Sequence, residues 1–535
     1  MANPTERRSF WGWGLASDEP TQEDRDRLAS QLAERYGVAV EARPVPTIDE
    51  ISLRAPRLEP PDSLAAVCST ETWDRAEHTY GQSFPDRHRA FNRDFTDPPD
   101  VVAFPGDEAE LAAVMDWCSD AGAVVIPFGG GSSVVDGATV PEGDDRPAVT
   151  IDLRRLDRVL EVDEASRAAR IQAGALGPAI EAQLRPHGLT LRHYPQSFQW
   201  STLGGWIATR SGGHYATNHT HIDDFVESVR MLTPQGWWES WRLPGSGAGP
   251  SPDRMVIGSE GTLGIISEAW MRIQHRPRFR ATAGVTFPGW DAGWHAVREI
   301  VQAKLWPANL RILDPAQAKA DAGMDGEHSL LIIGFESGEL PQGDNIRTAV
   351  ALARHHGGAI DDADIRVSDA DEAPTGRGGA VGAWRNAFVG VDLNTPVALG
   401  LVSDTFETAI TWDRWPDFDA VVRERMTKAL AEVCGGGRLG CRFTHVYVDG
   451  PAPYYTFVGM GRQGGEISQW AELKHAASEA VADAGGTITH HHAVGRMHRP
   501  QYDRQRPDLF AAAYKAAKCA VDPAGLLNPG VLFDT

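Results

Sequence analysis

Apolar positions along this chain fall into two rhythms, the first starting at Asp100. "VVAF" is a short apolar run, "GDEAELAAVMDWCSDAG" repeats its apolar positions at helical spacing, and "AVVI" is a second apolar run. The runs predict buried strands on either side of a helix. "AVTIDL", "RVLEVDEA" and "AARIQAG" predict three more strands, "ALGPAIEAQLRPHG" a helix stopped at Gly188, and "FVESVRMLTPQG" a strand with its turn. The rhythm restarts near residue 278. "RATAGVTFPGWDAGWHAVREIVQAKLWPANLRILD" predicts strand, helix, strand, and "SLLIIGFESG" a buried strand. "NIRTAVALARHHGGA", "DFDAVVRERMTKALAEVCGGG" and "EISQWAELKHAASEAVADAGG" predict helices, "YYTFVGM" a strand, and "TITHHH" the strand after the last of these helices. A final helix in "DLFAAAYKAAKCAVDP" leads into a proline-punctuated tail.

The fold class this predicts is α+β, with helices on mixed sheets. Four parts follow: an N-terminal helical extension (1–95), a first unit (96–276), a second (277–495) and a C-terminal segment (496–535). In the extension, "TQEDRDRLASQLAERYG" reads as an amphipathic helix with Thr21 as N-cap and Gly37 as its stop, and the proline-rich stretch after it as a surface crossing. Composition narrows the picture. A chain of 535 residues, 42% apolar and 23% charged, is a globular protein with more than one core. A net charge of -22 argues against nucleic acid and against non-specific binding to an anionic membrane. Five cysteines without a CxxC pair argue against a disulfide framework, so a reducing cytoplasm is expected. No apolar run reaches the roughly 18–20 residues of a transmembrane helix, and "MANPTERRSFWGWG" lacks the apolar centre of a secretory signal.

Candidate chemistry begins with glycine. "PFGGGSSVVDG" follows a predicted strand. Consecutive glycines let a backbone approach an anion and aim N–H groups at it. The stretch is neither a Walker A loop nor a GxGxxG fingerprint, and a plain turn is its other reading. "QSFQWSTLGGWIATRSGG" and "GSEGTLGIISEAWMRI" repeat the theme. Three such loops suit one long ligand with a diphosphate, such as a dinucleotide.

In this order and spacing, "PFGGGSSV", "STLGGWIATRSGG", "GSEGTLGIISEA" and the late "DPAGLLNPG" resemble the FAD-binding (PCMH-type) domain of the vanillyl-alcohol oxidase superfamily. The resemblance implies a two-part FAD-binding domain over 96–276, an α/β cap domain over 277–495, and a tail returning to the FAD domain. It implies that Pro127, Phe128, Gly129, Gly130, Gly131, Ser132 and Ser133 wrap the FAD diphosphate. It implies that Gln196, Ser197, Phe198, Gln199, Trp200, Ser201 and Thr202, then Thr209, Arg210, Ser211 and Gly212, line the rest of the cofactor. Glu260, Gly261, Thr262, Leu263, Gly264, Ile265 and Ile266 complete the lining. The first loop has neither the histidine nor the cysteine through which some members attach flavin, so non-covalent FAD is expected.

A narrower resemblance covers most of the chain. "GWG", "PANLRILD", "TFETAITWDRW", "CRFTHVYVDGPAPYYTF" and "HHHAVGR" together resemble the alkyldihydroxyacetone-phosphate (alkylglycerone-phosphate) synthase family. That family exchanges the acyl chain of acyl-dihydroxyacetone phosphate for a fatty alcohol through a flavin N5 adduct, a step of ether lipid synthesis without net redox change. The resemblance implies Tyr454 as the catalytic acid/base, His490, His491 and His492 as its proton-transfer partners, and Arg311 as the grip on phosphate. The chain also departs from the family. A second substrate arginine falls on Leu393, with Arg385 near it in sequence, and His219 and Thr220 stand where the family has tyrosine-glycine.

Read as residues alone, the histidines leave alternatives. On a strand only His490 and His492 share a face, and with no acid nearby in sequence a metal set is incomplete, so no metal is expected. Tyr454 also reads as core, and Arg311 as an ion-pair partner of Asp314. The same site also suits a flavin oxidoreductase of a 2-hydroxy acid or related alcohol, or a flavin-bearing sensor. The partner expected is a small-molecule or lipid substrate, in the cytoplasm or at a membrane periphery, and a homodimer stays open.

Overall fold

The computed structural model describes residues 7–36, 40–214, 217, 221–368, 380–383 and 392–534. Strands Val101–Ala103, Ala148–Asp152 and Val124–Phe128 pair in parallel, with Cys68–Ser69 antiparallel at the edge. Parallel neighbours need a crossover, and the helix Glu108–Ala121 supplies it. Asp107 caps that helix by accepting from the Glu110 N–H at 2.8 Å, and Gly122, at φ 61°, ends it. Beside this sheet lies an antiparallel one, ordered Val159–Asp163, Ala168–Gln172, Ile265–Arg272, Val226–Thr233, Gly236–Glu239. One apolar core joins both sheets.

The second unit is a seven-stranded antiparallel sheet. Its order is Arg366–Ser368, Phe279–Pro288, His328–Ser337, Asn309–Leu313, Gly437–Val446, Pro451–Met460, Leu401–Glu407. Helices Asp291–Gln302, Gly343–His355, Trp415–Cys434 and Glu466–Asp483 share its core. Register decides what this sheet offers. Arg442 stands opposite Tyr454, and Tyr454 opposite Glu407. Directly opposed residues in antiparallel strands share a face, so these three form one row.

Three expectations meet the structure differently. The helix at 21–37 is present as Gln22–Tyr36, with Thr21 Oγ1 accepting from the Asp24 N–H at 3.2 Å, while Gly37 lies outside the described residues. The N-terminal part is not a surface extension: Phe10, Trp11, Phe84 and Phe91 are buried in the core of the second unit. Phe10 and Trp11 sit in irregular chain and carry no period, while Phe84 and Phe91 are the ends of one short helix, Phe84–Phe91. "TITHHH" is not a strand. Residues 490–492 form bends, and the backbone N–H groups of His490, His491 and His492 turn inward to one buried carboxylate. In the tail, the Asn528 N–H donates to the Val125 carbonyl at 2.9 Å. All five cysteines are free, and among the described residues no helix is long and apolar enough to cross a membrane.

Candidate active site

A cavity of about 440 Å³ lies between the two units. One wall is backbone. All seven residues of Pro127–Ser133 line it, with Gln196, Ser197, Ser201, Thr202, Thr209, Ser211, Gly212, Glu260, Gly261, Gly264, Ile265 and Ile266. The glycines are obligatory here. A Cβ on Gly130 would lie 1.8 Å from the Trp200 carbonyl oxygen, and Gly131 sits at φ 62° with Phe128 2.4 Å from its Cβ position. The chain is pressed against its neighbours on one side and turns bare backbone to the cavity on the other.

Glu260 explains how an acid tolerates this wall. Burial pushes its carboxyl up to about 7, while its oxygens accept from the Val494 and Gly495 N–H groups at 2.9 and 2.7 Å. Burial thus disfavours a full negative charge on Glu260, which weakens its repulsion of a diphosphate. The close backbone and the hydroxyls of this wall fit the FAD diphosphate.

Six expected cofactor residues stand off the cavity. Phe198 stacks on Tyr194, Gln199 is exposed, and Trp200 offers its carbonyl to the underside of Gly130. Arg210 pairs with Asp223 at 2.9 Å, Thr262 Oγ1 donates to the Ser259 carbonyl at 2.7 Å, and Leu263 belongs to the core. A loop motif spans residues on both sides of the chain, and only some can face a ligand.

The opposite wall is side chains. Tyr454, His491, His492, Arg311 and Arg442 all line it. The histidine loop hangs on Glu407. Its carboxylate accepts from the N–H groups of His490, His491 and His492 at 2.6, 3.2 and 2.9 Å, and from Thr489 Oγ1 at 2.5 Å. Burial alone would raise the Glu407 carboxyl; His491, His492, His490 and their hydrogen bonds outweigh it and hold it well below the ordinary range. Glu407 is the acid that sequence proximity did not supply, since it lies 83 residues before His490.

Tyr454 donates to Thr405 Oγ1 at 3.1 Å, and the Arg442 guanidinium sits 4.5 Å from its ring centre. Burial pushes the phenol up, and Arg442 only partly opposes this. Tyr454 is thus a proton-bearing group at neutral pH. It is no simple core residue, since it lines the cavity.

Arg311 is buried on its strand and donates to the His214 carbonyl at 3.2 Å. It does not pair with Asp314, which is held by Arg423 at 2.9 Å. Two further arginines, neither singled out in the sequence, reach the cavity. Arg442 donates to Gln196 Oε1 at 3.2 Å. Arg87, from the helix Phe84–Phe91, donates to the Leu393 carbonyl beside the cavity. Arg385, His219 and Thr220 lie outside the described residues.

His490 is off the cavity wall. Its Nε2 meets the Tyr447 hydroxyl at 2.7 Å and its Nδ1 meets His491 Nδ1 at 3.1 Å. His445, His490 and His491 bring nitrogens within 4.8 Å of one another, the spacing of a metal set. Both His490 nitrogens and His445 Nε2, 2.7 Å from the Gly213 carbonyl, are already hydrogen-bonded, so the cluster is organised as a network.

A backbone wall shaped for a dinucleotide, facing buried proton donors and arginines, defines a flavoenzyme with its reaction held between two units. Residues 99–240 match the model of the FAD binding domain, and residues 276–532 that of the FAD linked oxidases, C-terminal domain. The chain belongs to this FAD-linked oxidase family, within the vanillyl-alcohol oxidase superfamily, and FAD is its cofactor. It is 29% identical to the alkyldihydroxyacetonephosphate synthase of Dictyostelium discoideum over 474 residues, 86% of this chain and 77% of the relative. It is 26% identical to glycolate oxidase subunit GlcD of Bacillus subtilis (strain 168), over 81% of this chain and 89% of the relative. A solved alkyldihydroxyacetonephosphate synthase superposes with a TM-score of 0.80 at 23% identity, covering 99% of each chain, which shows a shared fold.

Proposed function

We propose that this flavoenzyme exchanges the acyl chain of an acyl-dihydroxyacetone phosphate for a fatty alcohol. The observation that carries this reading is the convergence of Arg311, Arg442 and Arg87 on the cavity that holds Tyr454 and the histidine loop. A phosphate dianion calls for such forked donors. Arg87 stands against the carbonyl of Leu393, the position where the synthases carry their second arginine, and so can supply the missing cation from another element.

In the exchange one carbon–oxygen bond to the acyl group breaks and one to the alcohol oxygen forms. A carboxylate departs, the alcohol loses its proton, and no electrons are gained or lost overall. FAD, when bound, supplies the ring that activates the substrate carbon. The arginines orient the phosphate, Tyr454 donates a hydrogen bond or proton to a substrate oxygen, and the histidines remove the alcohol proton. The same reading places the protein in the cytoplasm, at or near the membrane surface that presents the lipid.

Leu393 favours a second reading, hydride transfer from a 2-hydroxy acid to the flavin. Anaerobic mixing while recording the flavin's visible band separates the two. Bleaching by an acyl-dihydroxyacetone phosphate, reversed by a fatty alcohol without any electron acceptor, is the expected result. Bleaching by a 2-hydroxy acid, reversed only by an acceptor, overturns it.

A further inference from the structure

The histidine cluster continues past the cavity toward solvent. His491 lines the cavity, and its Nδ1 lies 3.1 Å from His490 Nδ1. His490 Nε2 lies 2.7 Å from the Tyr447 hydroxyl, which lies 2.9 Å from His221 Nε2. His221 Nε2 is also 3.3 Å from His490 Nε2, and His221 Nδ1 is 3.2 Å from the Arg210 carbonyl. Tyr447 and His221 are half-buried. These side chains come from three distant stretches of sequence and none belongs to the glycine loops.

The carbonyl at the outer end sets the direction of every bond. A carbonyl only accepts, so His221 Nδ1 carries the proton and its Nε2 carries the lone pair. Tyr447 therefore donates to His221 Nε2 and accepts from a protonated His490 Nε2. His490 Nδ1 is then the acceptor for His491 Nδ1–H. The 3.3 Å contact between His490 and His221 and the 3.4 Å contact of His491 Nδ1 with Glu407 Oε2 fit the same assignment. One nitrogen remains with a lone pair at the inner end, His491 Nε2.

We propose that His491, His490, Tyr447 and His221 form a directed proton relay, in which His491 Nε2 takes the proton released in the cavity and His221, protonated at Nε2 by Tyr447, loses its Nδ1 proton to water at its exposed contact with the Arg210 carbonyl. Each imidazole is entered at one nitrogen and left at the other, which a relay requires. Glu407 stabilises the charge while it sits on His491, and burial holds His490 and His221 below their ordinary pKa, so neither traps it. The relay serves the proposed exchange, in which the alcohol releases one proton per turnover; hydride transfer from a hydroxy acid releases one as well. Tyr447 and His221 are positioning residues, acting through His491.

Two experiments test it. Nitrogen-15 spectra of histidine-labelled holoenzyme, assigned with His221→Gln, His490→Gln and His491→Gln, report the tautomers independently of any substrate. The relay requires protons on His221 Nδ1, His490 Nε2 and His491 Nδ1; a proton on His490 Nδ1 instead overturns it. Turnover of Tyr447→Phe and His221→Gln is then measured in dilute buffer, with imidazole added at constant pH and ionic strength. A fall of ~10-fold or more in kcat, largely restored by imidazole in both variants but not altered in wild type, is expected. An unchanged kcat, or a loss that imidazole does not restore, overturns the relay. If wild type turns over a 2-hydroxy acid and not the acyl-dihydroxyacetone phosphate, the exchange reading fails, and the same variants are read on flavin bleaching by that acid.

Discussion

Two buried glutamates hold opposite ends of one loop, and the protein shifts their carboxyl groups in opposite directions. Glu260, on the cofactor side, accepts from the N–H groups of Val494 and Gly495, and burial raises it to about 7. Glu407, on the cap side, accepts from Thr489 and three successive backbone N–H groups amid imidazoles, and is held well below the ordinary range. The difference shows what each wall does. The cofactor wall works with backbone and an acid whose charge burial disfavours, which suits an anionic ligand. The cap wall holds a fixed negative charge, since its histidines take up protons. Residues 489–495 join the two and keep His491 and His492 at the cavity.

The comparison can be broken most sharply on the backbone wall. Gly130→Val puts carbon atoms onto the Trp200 carbonyl. We expect the protein to purify without flavin, measured as visible absorbance per protein, with affinity lowered ~100-fold or more. On the cap wall, Tyr454→Phe should keep its flavin and lose activity ~100-fold or more, which separates the two walls by assay. A Tyr454→Phe enzyme with full activity would remove the phenol from the mechanism. Arg87→Met should raise KM for a phosphate-bearing substrate ~10-fold or more with little change in kcat; an unchanged KM would return the role at Leu393 to no residue.

The glutamates give a smaller, pH-dependent contrast. Glu407 has a folded pKa below its unfolded value of about 4.3. Its stabilisation is present above that value and is lost as pH falls through the folded pKa. Glu260 has a folded pKa of about 7, so its contribution is full below about 4.3 and is lost as pH rises through about 7. Glu407→Gln leaves buried N–H groups facing an amide and should cost about 1–3 kcal/mol. Melting temperatures against pH should flatten on the acid side in Glu407→Gln and on the neutral side in Glu260→Gln. Parallel profiles for both variants would erase the distinction.

Much of the cofactor wall was legible because it is local. A glycine stretch after a strand needs only neighbouring residues to do its work, and all seven positions of Pro127–Ser133 reach the cavity. The motif does not say which way each side chain points, and Phe198, Gln199, Trp200, Arg210, Thr262 and Leu263 stand off the cavity. The cap wall was legible in part. Tyr454, Arg311, His491 and His492 carry motif signals and meet at the cavity, but the strand expected for "TITHHH" put His490 in the wrong environment.

The sequence by itself determined the α+β order of elements, the dinucleotide-type loops and the residues able to move protons. Hydrophobic period and glycine chemistry act within a few residues, and no partner at a distance is needed to read them. Tertiary structure alone decided which side chains share the cavity. Arg87 and Leu393 are 306 residues apart, Tyr447 and His221 are 226 apart, and Glu407 reaches the histidines only because the end of one strand faces a bend. Strand register and the packing of the N-terminal helix set those meetings, and such terms depend on the whole core rather than on any segment of the chain.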